Sequence, residues 1–104
     1  AVTAVLVMIS NEPDERRKAS LLNLFRRAAP DQQIETALID YIKSDKDHVA
    51  RAASETLGVI GTERAIEPLM QAMQKRPKTH WVLNPLRRLT GQRFGYEMKE
   101  WNEW

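Results

Sequence analysis

Residues 48–73 read HVARAASETLGVIGTERAIEPLMQAM, and the fold turns on this stretch. Val49, Ala52, Ala53, Leu57 and Ile60 recur at three- and four-residue spacing, which places them on one face of a helix. Gly61 follows where a helix C-terminus favours a left-handed residue, and Thr62 has a side chain suited to capping the next helix. Beyond it Ile66, Leu69, Met70 and Met73 form a second inward stripe. Pro68 either kinks that helix or marks where its regular part begins. The stretch therefore reads as two helices joined by a tight turn.

The same pattern continues on both sides. Upstream, Val2, Val5, Leu6 and Ile9 make the apolar stripe of a short helix, and Asn11 is the expected cap of the next one, with Pro13 in its first turn. Ala19, Leu21, Leu22, Leu24, Phe25 and Ala28 give that helix a broad apolar face, and Ala29-Pro30 closes it. Asp31 caps a third helix lined by Ile34, Leu38, Tyr41 and Ile42, and Ser44-Asp45-Lys46-Asp47 forms a turn. Downstream of Pro77 the stripe Trp81, Val82, Leu86, Leu89 is interrupted by Pro85, and Asn84-Pro85 is expected to restart a helix there. Gly91 and Gly95 break the chain again before a last short helix carrying Trp101 and Trp104, with Phe94 and Tyr96 just before it. No segment alternates with period two, so strands are not expected.

These helices repeat. With Leu24, Leu57 and Leu86 in register, the spacings are 33 and 29 residues, and Ala19-Ser20 falls over Ala52-Ala53 and over Trp81-Val82. On the second helices Ala37-Leu38-Ile39 falls over Pro68-Leu69-Met70. Residues 1–10 match the second half of such a unit; 13–43 and 47–75 are full units; 78–104 is a degenerate unit with a C-terminal cap.

With that period established, the stretch 48–73 resembles the short HEAT-like repeats of the phycobilisome-lyase type. Val49, Ala53, Leu57, Gly58, Ile60 and Gly61 carry the likeness on the first helix, and Ala65, Ile66, Pro68, Leu69 and Met73 on the second. The arginine that usually follows the first Val is replaced by Ala50, with Arg51 one place later. The ending LTGQRFGYEMKEW is similar to the closing segment of bacterial HEAT-repeat chains, so the resemblance suggests the C-terminal part of a longer array. It implies an all-α, right-handed α-solenoid whose hairpins pack only on their neighbours. It also implies a concave binding face on the helices near 31–43 and 63–75, where Gln32, Glu35, Thr36, Asp40, Glu67, Gln71 and Gln74 are the non-core positions. Such a polar, mildly acidic groove suits a basic or polar protein surface.

Composition narrows the function classes. At 104 residues, with 42% hydrophobic and 29% charged side chains, the chain is one globular domain rather than a disordered segment. The absence of Cys removes disulfides, thiolate zinc sites and cysteine nucleophiles. No apolar run approaches the roughly 20 residues of a membrane span. AVTAVLVMIS lacks a basic leader and a starting Met, so it is not an intact signal peptide, and a start at Ala1 suggests a cleaved or truncated product. His48 and His80, the two histidines, lack a partner His or Glu at ligand spacing, so no metal or cofactor is expected. The serines lack a nucleophile-elbow context and GVIG at 58–61 lacks the lysine of a phosphate loop, so no catalytic residue is assigned.

The net charge of +2 hides segregation: Lys75, Arg76, Lys78, Arg87, Arg88 and Arg93 follow one another with no acid between them, whereas residues 30–74 carry eight acids and four bases. The expected role is non-enzymatic: a protein-interaction or scaffold module. The alternative is phosphate-backbone binding through the basic stretch 75–93. If Ala1 is the true start, Val2, Val5 and Ile9 sit on an uncovered end helix, which adds an expectation of self-association at the N-terminal end. Leu57→Ala, at the centre of the proposed core, is expected to cost about 2–5 kcal/mol in chemical denaturation; a loss below about 1 kcal/mol would show the register to be wrong.

Overall fold

The computed structural model describes residues 2–27, 31–76 and 79–104, and of Val2 only its backbone. Every regular element among them is helical: α1 Val2–Ser10, α2 Glu15–Asn23, α3 Gln32–Ile42, α4 Asp47–Ile60, α5 Ile66–Lys75, α6 His80–Thr90 and α7 Met98–Glu103. Short 3-10 turns extend α2 through Leu24–Arg27 and introduce α5 at Glu63–Ala65. The expected fold class is the one observed, an α-solenoid of helical hairpins.

The helices lie in two layers. α2, α4 and α6 sit side by side in the first, and α1, α3, α5 and α7 follow one another in the second. Across the layers the close backbone approaches are α3 on α4 and α5 on α6. The result is an elongated slab of 39 × 25 × 16 Å, whose thinnest dimension fits two helix layers spaced about 8–10 Å apart. One continuous apolar core runs its length, from Ile9 on α1 through Leu22, Leu38, Leu57, Leu69 and Leu86 to Trp101 on α7, each of them fully or almost fully buried.

α4 is the centre of the slab. Val49, Ala50, Ala52, Ala53, Ser54, Thr56, Leu57, Gly58 and Ile60 are all buried on it, because α2, α3 and α6 all pack against it. Gly58 marks the tightest crossing: a Cβ there would lie 3.0 Å from both Cα and Cβ of Pro85 on α6. That contact explains a departure from expectation. Pro85 neither interrupts the stripe nor starts a helix after an Asn84 cap; α6 runs unbroken from His80 to Thr90 with Pro85 buried inside it. Proline in a helix interior forfeits one hydrogen bond; here its ring docks on the bare backbone of Gly58, and apolar burial offsets that loss.

Other local expectations are corrected by geometry. Asp14, not Asn11, caps α2: its carboxylate accepts from the backbone N–H of Arg16 at 2.9 Å and of Arg17 at 3.2 Å, and Pro13 lies before the helix. These bonds, from Arg17 and then Arg16, hold the Asp14 carboxyl below the ordinary carboxylate range. Asp31 caps α3 as expected, accepting from the Ile34 N–H at 3.0 Å. Gly61 is extended (φ −75°, ψ 165°) rather than left-handed; glycine is required because a Cβ would collide with the Leu57 carbonyl oxygen, which accepts the Gly61 N–H. The left-handed glycine is Gly91, at φ 73°, closing α6. Pro68 falls in the first turn of α5, where the regular helix begins.

Leu24 is a further correction. It faces solvent at 69% exposure while Leu22 and Phe25 are buried. The chain tightens from α-helix to 3-10 after Asn23, and three residues per turn stacks Phe25 on the side of Leu22 and turns Leu24 away. Ala28 and the Ala29-Pro30 stop lie outside the described residues. At the far end Trp101 is buried, donates its indole N–H to the Gly95 carbonyl at 2.7 Å and meets Phe94 edge-on at 5.0 Å, whereas Trp104 stays exposed.

Gly58→Val is expected to destabilise the fold by about 1–3 kcal/mol in urea melts, as overpacking does. Gly95→Ala, where a Cβ meets nothing within 4 Å, should stay within about 0.5 kcal/mol of wild type. Equal effects at the two glycines would contradict the close α4–α6 crossing.

Candidate interaction face

α3 and α5 are neighbours in the second layer, and their solvent sides carry most of the polar residues expected to form a binding face. Gln32, Thr36 and Asp40 are exposed on α3, and Glu67, Gln71 and Gln74 on α5. Thr36 is partly occupied by its own helix, its hydroxyl donating to the Gln32 carbonyl at 2.8 Å. Where α3 ends beside α5 there is a cleft of about 170 Å³ lined by Ile42, Lys43, Pro68, Gln71, Ala72 and Lys75. Its floor is apolar (Ile42, Pro68, Ala72) and its rim carries two lysines and an amide. Of the expected face residues Gln71 alone lines it. Pro68 and Ala72 lie four apart on α5, so they share a side of the helix; that spacing is the sequence signal for the floor.

Glu35 does not belong to the open face. It is 4% exposed, accepts the Thr62 backbone N–H at 2.6 Å and the Thr62 hydroxyl at 2.9 and 3.1 Å, and has the Arg64 guanidinium 3.9 Å away. A buried carboxylate is tolerated only with such partners. Its work is to pin the α4–α5 connection to α3, while Thr62 in turn caps the 3-10 turn through the Arg64 N–H at 3.3 Å.

The basic stretch is not one patch. Arg76 is drawn into the structure: it donates to the Ser44 carbonyl at 2.7 Å, lies 3.4 Å from Asp47 and stacks over the Trp81 ring at 5.5 Å. Lys75 is exposed beside the cleft, and Lys78 lies outside the described residues. Arg87, Arg88 and Arg93 gather at the other end of α6, with Arg87 donating to the Phe94 carbonyl at 2.8 Å. Arg87 lies seven residues after His80 on α6, so the two groups are separated by about 10 Å of helix.

His48 and His80 are exposed in the first turns of α4 and α6. Among the described residues no group of three or more His, Asp or Glu is placed to hold a metal ion, and no helix is long and apolar enough to cross a membrane. Ser54 is fully buried in α4, and its hydroxyl has no hydrogen-bond partner among the described residues.

No curated protein and no solved structure matches the chain. The sequence profile of HEAT repeats does, over residues 2–82. That span runs from α1 into α6 and covers the paired layers just described. With more than half its length matched and an all-helical two-layer structure, the chain belongs to the HEAT-repeat family.

Proposed function

We propose that the chain is a non-enzymatic interaction module that holds a partner protein along the α3–α5 face. HEAT repeats are commonly protein-interaction scaffolds, and within the family we take the phycobilisome-lyase type as the subclass on the strength of residues 48–73. The observation that carries the reading is the cleft between α3 and α5: an apolar floor of Ile42, Pro68 and Ala72 beneath a polar rim, on a face where Gln32, Asp40, Glu67 and Gln74 remain exposed. A small apolar pocket inside a polar surround is how interaction surfaces seat an anchor side chain. The exposed acids Asp40 and Glu67 suit a polar or basic partner surface. Phosphate-backbone binding through residues 75–93 is the weaker reading, because Arg76 is engaged internally and the remaining arginines lie at the far end of α6.

Ala72→Arg fills the cleft from a half-buried position. Affinity capture from the source organism's lysate, treated with nuclease, should retain one or two proteins on the wild-type chain and lose them on this variant. Capture that collapses with nuclease, or that Ala72→Arg leaves intact, would overturn the assignment.

Self-association at the N-terminal end is a second reading, supported by α1 itself. This helix has no charged residue, and it exposes Val5, Val7 and Met8, the last two at 53%, whereas Ile9, expected to be uncovered, is fully buried in the core and the Val2 side chain lies outside the description. A helix apolar on all sides is normally a covered helix. Light scattering on a size-exclusion eluate should give a mass above the 12.0 kDa monomer at high micromolar concentration; a mass fixed at the monomer value would exclude it.

A further inference from the structure

Charge in this molecule is sorted by layer. α2 with its 3-10 extension, α4 and α6 together carry eight basic residues and three acidic ones. α3, α5 with its leading 3-10 turn, and α7 carry three basic and six acidic. Arg26 and Arg88 are 62 positions apart in the chain, and only the packing of α2, α4 and α6 brings them to one side.

On that side the end of the α2 extension meets α4 and α6 around a cleft of about 230 Å³. Gly58, Val59 and Pro85 form its floor, and Arg26, Arg88 and Glu55 stand around it. Pro85 packs directly on Gly58, so the pair forms a low floor with no projecting side chain, and Val59 beside it stands in solvent at 44% exposure. Leu24, the most exposed large apolar side chain among the described residues, lies two residues before Arg26. Glu55 is shared between two arginines, 3.8 Å from Arg26 and 3.2 Å from Arg51. Arg88 has no carboxylate within 4 Å among the described residues. Two guanidinium groups and one carboxylate therefore line an apolar floor, a positive excess of one, and Arg51 on α4 draws on the same Glu55 carboxylate.

We propose that this cleft, on the solvent side of the α2–α4–α6 layer, docks an acidic protein segment that carries an aliphatic or aromatic anchor. The anchor packs on Val59 and Pro85, and carboxylates on either side of it engage Arg88 and Arg26, whose planar forks match carboxylate geometry. A nucleic acid fits less well. Glu55 stands among the arginines where a phosphodiester chain would run, no aromatic side chain lines the cleft to stack a base, and an apolar floor offers nothing to a phosphate backbone. This surface is separate from the α3–α5 cleft, which lies on the other layer, so the two assignments stand or fall independently.

Panning a random 12-residue peptide display library against the full chain tests the proposal. The enriched sequences should combine two or more Asp or Glu with a nearby Leu, Ile, Phe or Trp. Their affinity, read by fluorescence anisotropy, should fall about tenfold or more on Arg88→Glu and a lesser amount on Val59→Ser. Both positions are exposed, and circular dichroism checks that the fold is kept. Binding to Ala72→Arg should stay within about twofold of wild type, since that site is not involved. Enrichment of sequences without the acidic–apolar pattern, or no enrichment, would overturn the proposal. So would peptides that respond to Ala72→Arg and not to Arg88→Glu. Displacement of the peptides by a 12-base-pair DNA duplex whose own binding depends on Arg88 would identify a general polyanion surface and overturn it too.

Discussion

A helix pressed by three neighbours at once has little room for large side chains, and α4 meets that constraint with Ala50, Ala52, Ala53, Ser54 and Gly58. Each small residue lets a neighbouring backbone come closer, and the closest of these approaches sets Gly58 against Pro85. Leu57 is then the single large side chain that fills the middle of the core from this helix, with Val49 and Ile60 at its ends. The same crowding buries polar atoms. Thr56 sends its hydroxyl 3.4 Å to the Leu22 carbonyl of α2, whereas Ser54 finds no partner among the described residues. An unpaired buried hydroxyl costs on the order of 1–3 kcal/mol, a cost consistent with how tightly the site is shaped around a small side chain.

The connections between helices are held by two polar anchors that face in opposite directions along the array. Glu35 reaches forward from α3 to the loop before α5, and Arg76 reaches back from the end of α5 to the turn before α4. In a solenoid each unit touches only its neighbours, so register between units depends on a few contacts. Here a carboxylate with three hydrogen-bonding approaches from Thr62, and a guanidinium clasped between a carbonyl and an indole, provide those contacts.

The all-helical, repeating architecture was legible because helical periodicity is a local property, and Val49, Leu57, Leu69 and Met73 are inward for the reason their spacing implies. What was not legible lay in contacts between distant residues. Glu35 and Arg76 look like surface charges, and nothing within a few residues of either announces Thr62 or Ser44. Pro85 looks like a helix stop until Gly58, 27 positions away, is seen beneath it. Leu24 looks like core because an α-helical period was carried past Asn23, where the chain had tightened. The interaction face was legible in part: the polar residues of α3 and α5 share a layer, but the cleft floor at Ile42, Pro68 and Ala72 needed the two helices side by side. The arginines of the first layer could not be gathered from the sequence at all.

Spacing within the two layers also has a mechanical meaning. α4 and α6 are in intimate backbone contact, while α3 and α5, on the other side of the slab, approach each other sparingly. α3 is bound to α4 and α5 to α6, and the two couplets meet most closely where Pro85 lies on Gly58. On the opposite side the Glu35–Thr62 and Arg76–Ser44 hydrogen bonds brace one couplet against the other. The α3–α5 cleft lies between these ties, so a partner side chain that enters it meets a socket whose spacing is already set.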